Sequence, residues 1–194
     1  MLRVIFGSPG CGKTTTAVRE LYKKRRLYKH RYANFEISEK VGKQCNLKGL
    51  GEWTFPPKSY IAIDEAGIEY NSRKFKSLSQ KTIEWFKLHR HYRCDVDVYS
   101  QSWEDMDITL RRLADELWYA KKIFCFTLLR RIYKSVRVDK NTQQIIDAYR
   151  LASFWSFLIP FNSSVKLVFR PRWYRYFNSW SVPDTPIKDD WQIA

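Results

Sequence analysis

The sequence predicts an α/β fold: a three-layer sandwich with a mainly parallel central sheet and strands added at its C-terminal end. Three observations lead there. A glycine-rich stretch at residues 7–14 joins an apolar run to a helical one near the start of the chain. Strand-like and helix-like segments then alternate through residue 120, the pattern of a parallel sheet with helices on both faces. Polar clusters fall at the carboxyl ends of three strand-like runs, on the rim where such sheets place their ligands.

Each element has its own signal. Leu2 to Phe6 is apolar and reads as the first strand. A helix from about Lys13 to Lys29 follows, with Ala17, Val18, Leu21 and Tyr28 on its inward stripe and cations at its end, where they suit the helix dipole. Tyr32 to Phe35 is a short second strand, and residues 36–58 read as loop with room for one short helix. Ser59 to Ile63 is a third strand that ends in Asp64 and Glu65. After a loop over 66–78, Ser77-Leu78-Ser79-Gln80 resembles a capping box. It opens a helix to about His91, with Ile83, Phe86 and Trp85 inward. Cys94 to Gln101 alternates as a fourth strand, and Asp107 to Glu116 is a short helix. Strands near Leu117–Ala120 and Ile123–Leu129 come next, with Arg131–Val138 alternating as a hairpin partner would. Residues 143–150 read as helical and Val165 to Phe169 as a late strand. The expected organisation is a core over residues 1–140, with 141–194 packed on it or extending it.

The glycine-rich stretch, Gly-Ser-Pro-Gly-Cys-Gly-Lys-Thr, fits the phosphate-binding pattern G-x-x-x-x-G-K-[ST] between a strand and a helix. That context points to the P-loop NTPase version of the sandwich, with a nucleoside triphosphate, ATP by default, and Mg²⁺ as the expected ligands. Gly7, Ser8, Pro9, Gly10, Cys11, Gly12, Lys13, Thr14 and Thr15 form the expected nucleotide-binding set. Backbone N–H groups there converge on phosphate at the positive end of a helix. Lys13 reaches the β- and γ-phosphates, and the Thr14 hydroxyl ligates Mg²⁺. Ile61-Ala62-Ile63-Asp64-Glu65 delivers two acids from an apolar strand. Asp64 is expected to hold Mg²⁺ with Thr14, and Glu65 to polarise the attacking water. Ser100 and Gln101 end the next strand, where a polar side chain can sense the γ-phosphate; Gln101 is preferred. Arg90, Arg93, Arg111, Arg112, Arg130 and Arg131 could each supply an arginine finger, which is often given in trans. Arg111 and Arg112 are chosen because they follow the sensor strand.

Composition bounds the partners. A net charge of +15 and a pI near 9.7 suit nucleic acid or an anionic membrane surface, besides a solvated basic face. The segment from Lys166 to Phe177 interleaves aromatics and cations; it reads first as packing on the core and second as a base-stacking surface. Cys11, Cys45, Cys94 and Cys125 have no paired spacing and read as reduced side chains of a cytosolic protein. His30, His89 and His91 form no metal-ligand pattern. With the phosphate-loop strand at the first residues, no leader peptide is expected. The apolar stretch from Leu151 to Phe161 is too short to span a bilayer.

These residues together resemble the zonular occludens toxin (Zot) family, the gene-I-type assembly ATPases of filamentous phages within the FtsK–HerA-like group. The resemblance rests on residues 7–14, on Tyr60 to Gly67, on His89-Arg90-His91-Tyr92, on Tyr99-Ser100-Gln101, and on Asp107 to Arg112. It covers residues 1–140 well, and Tyr176 to Trp180 only loosely. It implies an ATP-hydrolysing motor for phage morphogenesis, acting as a homo-oligomer in the host cytoplasm, peripherally at the inner membrane. Single-stranded or viral DNA and phage coat or membrane assembly proteins are the implied partners. Typical members carry a transmembrane helix after the ATPase domain, and no such segment is found here. The expectation is therefore a truncated ATPase domain or a short relative that recruits its membrane partner separately. The alternatives are a DNA-packaging or DNA-translocating ATPase of the same group, a small-molecule kinase, and a P-loop protein that only binds nucleotide. A GTPase is disfavoured by the absence of an Asn-Lys-x-Asp motif, and an AAA+ protein by strands where a helical lid would follow.

Overall fold

β1 (Leu2–Phe6) is the axis of the molecule: Leu2 and Val4 are buried against one helical layer and Ile5 against the other. The computed structural model describes residues 1–46, 50–52, 54–65, 80–104, 106, 108–138, 145–158 and 164–178. Its other strands are β2 (His30–Ala33), β3 (Lys43–Gln44), β4 (Ser59–Ile63), β5 (Asp95–Ser100), β6 (Glu116–Ile123), β7 (Phe126–Val138), β8 (Ile145–Leu151) and β9 (Val165–Phe169). The helices are α1 (Lys13–Lys23), α2 (Gln80–Leu88) and α3 (Ile108–Leu113), with short 3₁₀ turns at Lys24–Arg26, Phe154–Leu158 and Pro171–Tyr176.

All the strands join one sheet in the order β3-β2-β4-β5-β1-β6-β7-β8, with β9 also paired to β7. From β3 to β6 every neighbour is parallel, so all those strands point their carboxyl ends at one rim. β7, β8 and β9 are antiparallel additions. The pleat sorts the core. Val4, Ile61, Ile63, Val96 and Val98 meet Trp85 and Phe86 of α2 and Leu110 of α3. On the opposite face Ile5, Tyr60, Ala62 and Tyr99 meet Ala17, Val18 and Leu21 of α1. This is the three-layer α/β arrangement expected from the alternation of elements.

Four departures from the sequence reading have physical causes. The first helix stops at Lys23 because a 3₁₀ turn re-aims the chain; Lys24 then lies 4.0 Å over the Tyr60 ring, and Tyr28 bonds Asp95. In 36–58 the described residues hold no helix; β3 instead pairs with β2. Phe126 to Val138 is one strand of 13 residues rather than two segments. Of residues 143–150, read as helical, those from Ile145 on belong to the strand Ile145–Leu151, because beyond Ile132 the free edge of β7 offers backbone groups that β8 satisfies. The loop over 66–78 and the capping residues Ser77 to Ser79 lie outside the described residues, whereas α2 begins at Gln80 as expected.

Candidate active site

β1 ends at Phe6, and the Gly7 N–H bonds the Ser100 carbonyl at 3.3 Å, tying the phosphate loop to the end of β5. The loop is packed from behind by the β6–β7 hairpin. A Cβ on Gly7 would stand 2.2 Å from the Ala120 carbonyl oxygen, so only glycine fits there. Gly12 has φ 94°, and a Cβ on it would lie 2.2 Å from Thr127 Oγ1. The buried Thr127 hydroxyl donates to the Cys11 carbonyl at 2.7 Å. Lys13 is only 7% exposed, and its ammonium donates to the Gly7 and Ser8 carbonyls at 2.8 and 3.1 Å. The charge is therefore held inside the loop, where phosphate oxygens would meet it. Burial pushes the neighbouring Cys11 thiol up despite Lys13, which makes it an inert packing group.

The paired acids stand across from the loop. Asp64, at the end of β4, accepts a hydrogen bond from the Thr14 hydroxyl and another from the Glu65 N–H at 3.0 Å. Burial pushes its carboxyl above the ordinary value, against the pull of those donors and of Lys13. Asn34, just past β2, clamps the backbone of Asp64 from both sides. Its amide donates to the Asp64 carbonyl at 2.8 Å, and its oxygen accepts the Asp64 N–H at 2.7 Å. Glu65 turns out of the strand with φ 53°, a left-handed conformation uncommon for such a side chain, and is exposed on the site wall. Ser100 is buried and donates to Ser102, whereas Gln101 is exposed toward the site. Pro9, Gly10, Gly12, Lys13, Thr14, Thr15, Asp64, Glu65 and Gln101 line a single cavity of about 280 Å³. Gly7 and Cys11 lie behind it.

Thr14 and Asp64 supply hard oxygen donors side by side, the chemistry Mg²⁺ selects together with phosphate oxygens and water. No cluster of three or more His, Cys, Asp or Glu converges elsewhere among the described residues.

The structure does not bring Arg111 and Arg112 to this cavity. α3 runs back from the carboxyl rim, and the Asp115 N–H just beyond it bonds the Leu2 carbonyl at 2.8 Å, at the amino end of β1. Arg111 lies over Trp103 at 5.4 Å, and Arg112 is exposed. Arg90 pairs with Asp115, Arg131 with Glu116, and Arg130 bonds Ala152. The His89-Arg90-His91 segment also lies at that far edge, where burial holds the His89 imidazole below its ordinary pKa. A larger open groove of about 730 Å³ there includes Arg90, Arg93, Asp95 and Arg131, but none of the phosphate-loop residues.

Among the described residues the arginine that does reach the loop is Arg170, which donates to the Gly10 carbonyl at 3.3 Å and to the Phe124 carbonyl. With Tyr174 and Phe177 it completes the cavity wall. Arg170, Tyr174 and Phe177 lie in the segment whose aromatics and cations read first as core packing, and Asn34 and Thr127 carry no local motif; only the folding of β9 against β7 and of β2 against β4 brings them to the loop.

Comparison with known proteins sets the family. The family model for zonular occludens toxin (Zot) matches residues 22–126, just over half of the chain. The N-terminal domain of zonular occludens toxin from Neisseria meningitidis superposes with a TM-score of 0.51 at 18% identity, covering 79% of this chain and 95% of that one. The genome packaging NTPase of Sulfolobus turreted icosahedral virus 2, in complex with sulfate, gives 0.50 at 13% identity, covering 75% and 94%. Its complex with ATP-gammaS gives 0.50 at 10% identity, covering 75% and 95%. A search of curated protein sequences found no match. Among the described residues, no helix is long and apolar enough to cross a membrane. With a P-loop ATPase fold and a family match over more than half its length, the chain belongs to the zonular occludens toxin (Zot) family.

Proposed function

We propose that this chain hydrolyses ATP and uses the energy for virion morphogenesis, the assembly or extrusion of a filamentous-type phage. The observation that carries the hydrolytic reading is the convergence of Lys13, Thr14, Asp64, Glu65 and Gln101 on one cavity from three separate elements. Lys13 and the loop N–H groups would hold the β- and γ-phosphates. Asp64 and Thr14 would hold Mg²⁺, which when bound neutralises charge on those phosphates. Glu65 would accept a proton from the attacking water, and Gln101 would orient that water beside the γ-phosphate. The second acid beside Asp64 counts against a small-molecule kinase and for a water-activating site. Membership of the Zot family supports the morphogenesis role and, with it, oligomeric action near the host inner membrane.

A second reading, movement of viral DNA, is favoured by the net charge of +15 and by likeness in fold to a genome packaging NTPase. One experiment tests both. Phosphate release from ATP is measured with and without Mg²⁺, alone and with single-stranded or duplex DNA. Mg²⁺-dependent release that Lys13→Ala abolishes is expected. Stimulation by either DNA form supports translocation; no stimulation by either counts against it and leaves protein assembly as the work done.

A further inference from the structure

One wall of the cavity is unlike the rest. Lys13, Asp64, Glu65 and Gln101 supply charge and hydrogen bonds, whereas the C-terminal segment supplies two aromatic rings and a guanidinium. At about 280 Å³ the cavity is close to the smallest small-molecule sites, which run from roughly 300 Å³ upward. A triphosphate seated in the loop with its γ-phosphate at Glu65 and Gln101 would carry its nucleoside away from those two side chains. The aromatic rings close the cavity on its remaining wall.

We propose that Tyr174 and Phe177 form the base-binding wall of the nucleotide site, with the Tyr174 ring stacking on the base and Arg170 fixing the wall to the phosphate loop. The proposal rests on the nucleotide reading given above and extends it to the part of the ligand that no phosphate-loop residue recognises. Tyr174 is half exposed, as a ring awaiting a flat partner must be, and stands 6.3 Å from the Phe177 ring at 63°. The wall is rigid rather than draped. Trp173, one residue before, is buried and meets Tyr22 of α1 edge-on at 5.5 Å, and Tyr176 meets the same ring at 5.4 Å. The Ser38 N–H bonds the Tyr176 carbonyl at 2.8 Å, and Phe177 pairs with Ile37. At the other end the Arg170 N–H bonds the Cys125 carbonyl at 3.0 Å, while its side chain holds Gly10. The segment is thus anchored to both α1 and the β6–β7 turn, and Tyr174 projects from it unencumbered. Aromatic faces recognise bases with little sequence preference, so the wall selects a nucleoside over a bare polyphosphate and not adenine over guanine.

The test compares two ligands on one site. Affinities for Mg·ATP and for inorganic tripolyphosphate are measured on wild type, Tyr174→Ala, Tyr174→Trp and Lys13→Ala. Tyr174→Ala is expected to weaken ATP roughly ten-fold or more and to leave tripolyphosphate unchanged. Tyr174→Trp is expected to keep ATP affinity, and Lys13→Ala to weaken both ligands. Unchanged ATP binding by Tyr174→Ala, or an equal loss for both ligands, would overturn the stacking role. Wild type that binds neither ligand would overturn the nucleotide site itself, a separate failure.

Discussion

Asp97 sits in the middle of β5 and is only 1% exposed, yet its carboxyl stays charged. Burial alone would push its pKa up, but the Arg3 guanidinium opposite it on β1 overrides that and holds the carboxyl below its ordinary value. Arg3 Nε donates to Asp97 at 2.7 Å, the Tyr60 hydroxyl donates to the same carboxylate, and Glu20 completes the group beneath α1. Alternation along the strand puts Asp95 and Asp97 on one face. A charge pair neutralises that face so that α1 can cover it. Replacing Asp97 by Asn leaves the buried Arg3 with only the more distant Glu20 as counter-charge, and a loss of roughly 3–5 kcal/mol in urea unfolding at pH 7 is expected; a loss below about 1 kcal/mol would contradict the pairing. Because the folded carboxyl is held below its unfolded value of about 3.9, its contribution is whole above that pH. It fades as pH falls through the folded value. The wild-type stability profile should therefore drop on acidification, and that of Asp97→Asn should be flatter across the same range. At this scale the residues that share the cavity were legible: a phosphate loop and two adjacent acids need only their own types and spacing. Asn34 and Arg170 were not, because each acts on a backbone carbonyl far away in sequence.

The β6–β7 hairpin shows what the alternation of elements could and could not convey. Its strands were expected, but not that its inner edge is the rear support of the phosphate loop. Thr127 is fully buried and its hydroxyl satisfies the Cys11 carbonyl, an acceptor that has left the regular ladder to serve the loop. Thr127→Val keeps the shape and removes the donor. A stability loss of about 1–2 kcal/mol is expected, with weaker ATP binding, and Thr127→Ser should restore both. Thermal unfolding and ATP titration of the two variants check this; a Val variant with full affinity would show that the hairpin supports the fold and not the loop. The strand Ile145–Leu151, where a helix over 143–150 was expected, has the same origin. Its own residues tolerate helix, and the open edge of β7 decides in favour of strand.

Across the whole molecule the sheet separates two ends. The carboxyl rim carries the phosphate-loop cavity, while the amino edge carries Arg90, Arg93 and Arg131 in an open groove. Arg111 and Arg112 belong to the helix that returns to that amino edge, so either could serve catalysis only in a neighbouring subunit. Arg112 is the exposed one. If it acts in trans, Arg112→Ala and Glu65→Gln should each be inactive alone and regain partial activity when mixed, since some sites then pair an intact Glu65 with an intact Arg112. Full activity of Arg112→Ala by itself would remove it from catalysis. The central claim is that Lys13, Asp64 and Glu65 form a hydrolytic site in which binding and water activation are separable. Phosphate release and ATP affinity, measured together on wild type and Glu65→Gln, test it most directly. The expected result is turnover reduced by roughly 10²–10⁴ with affinity retained; equal rates in the two proteins would contradict it.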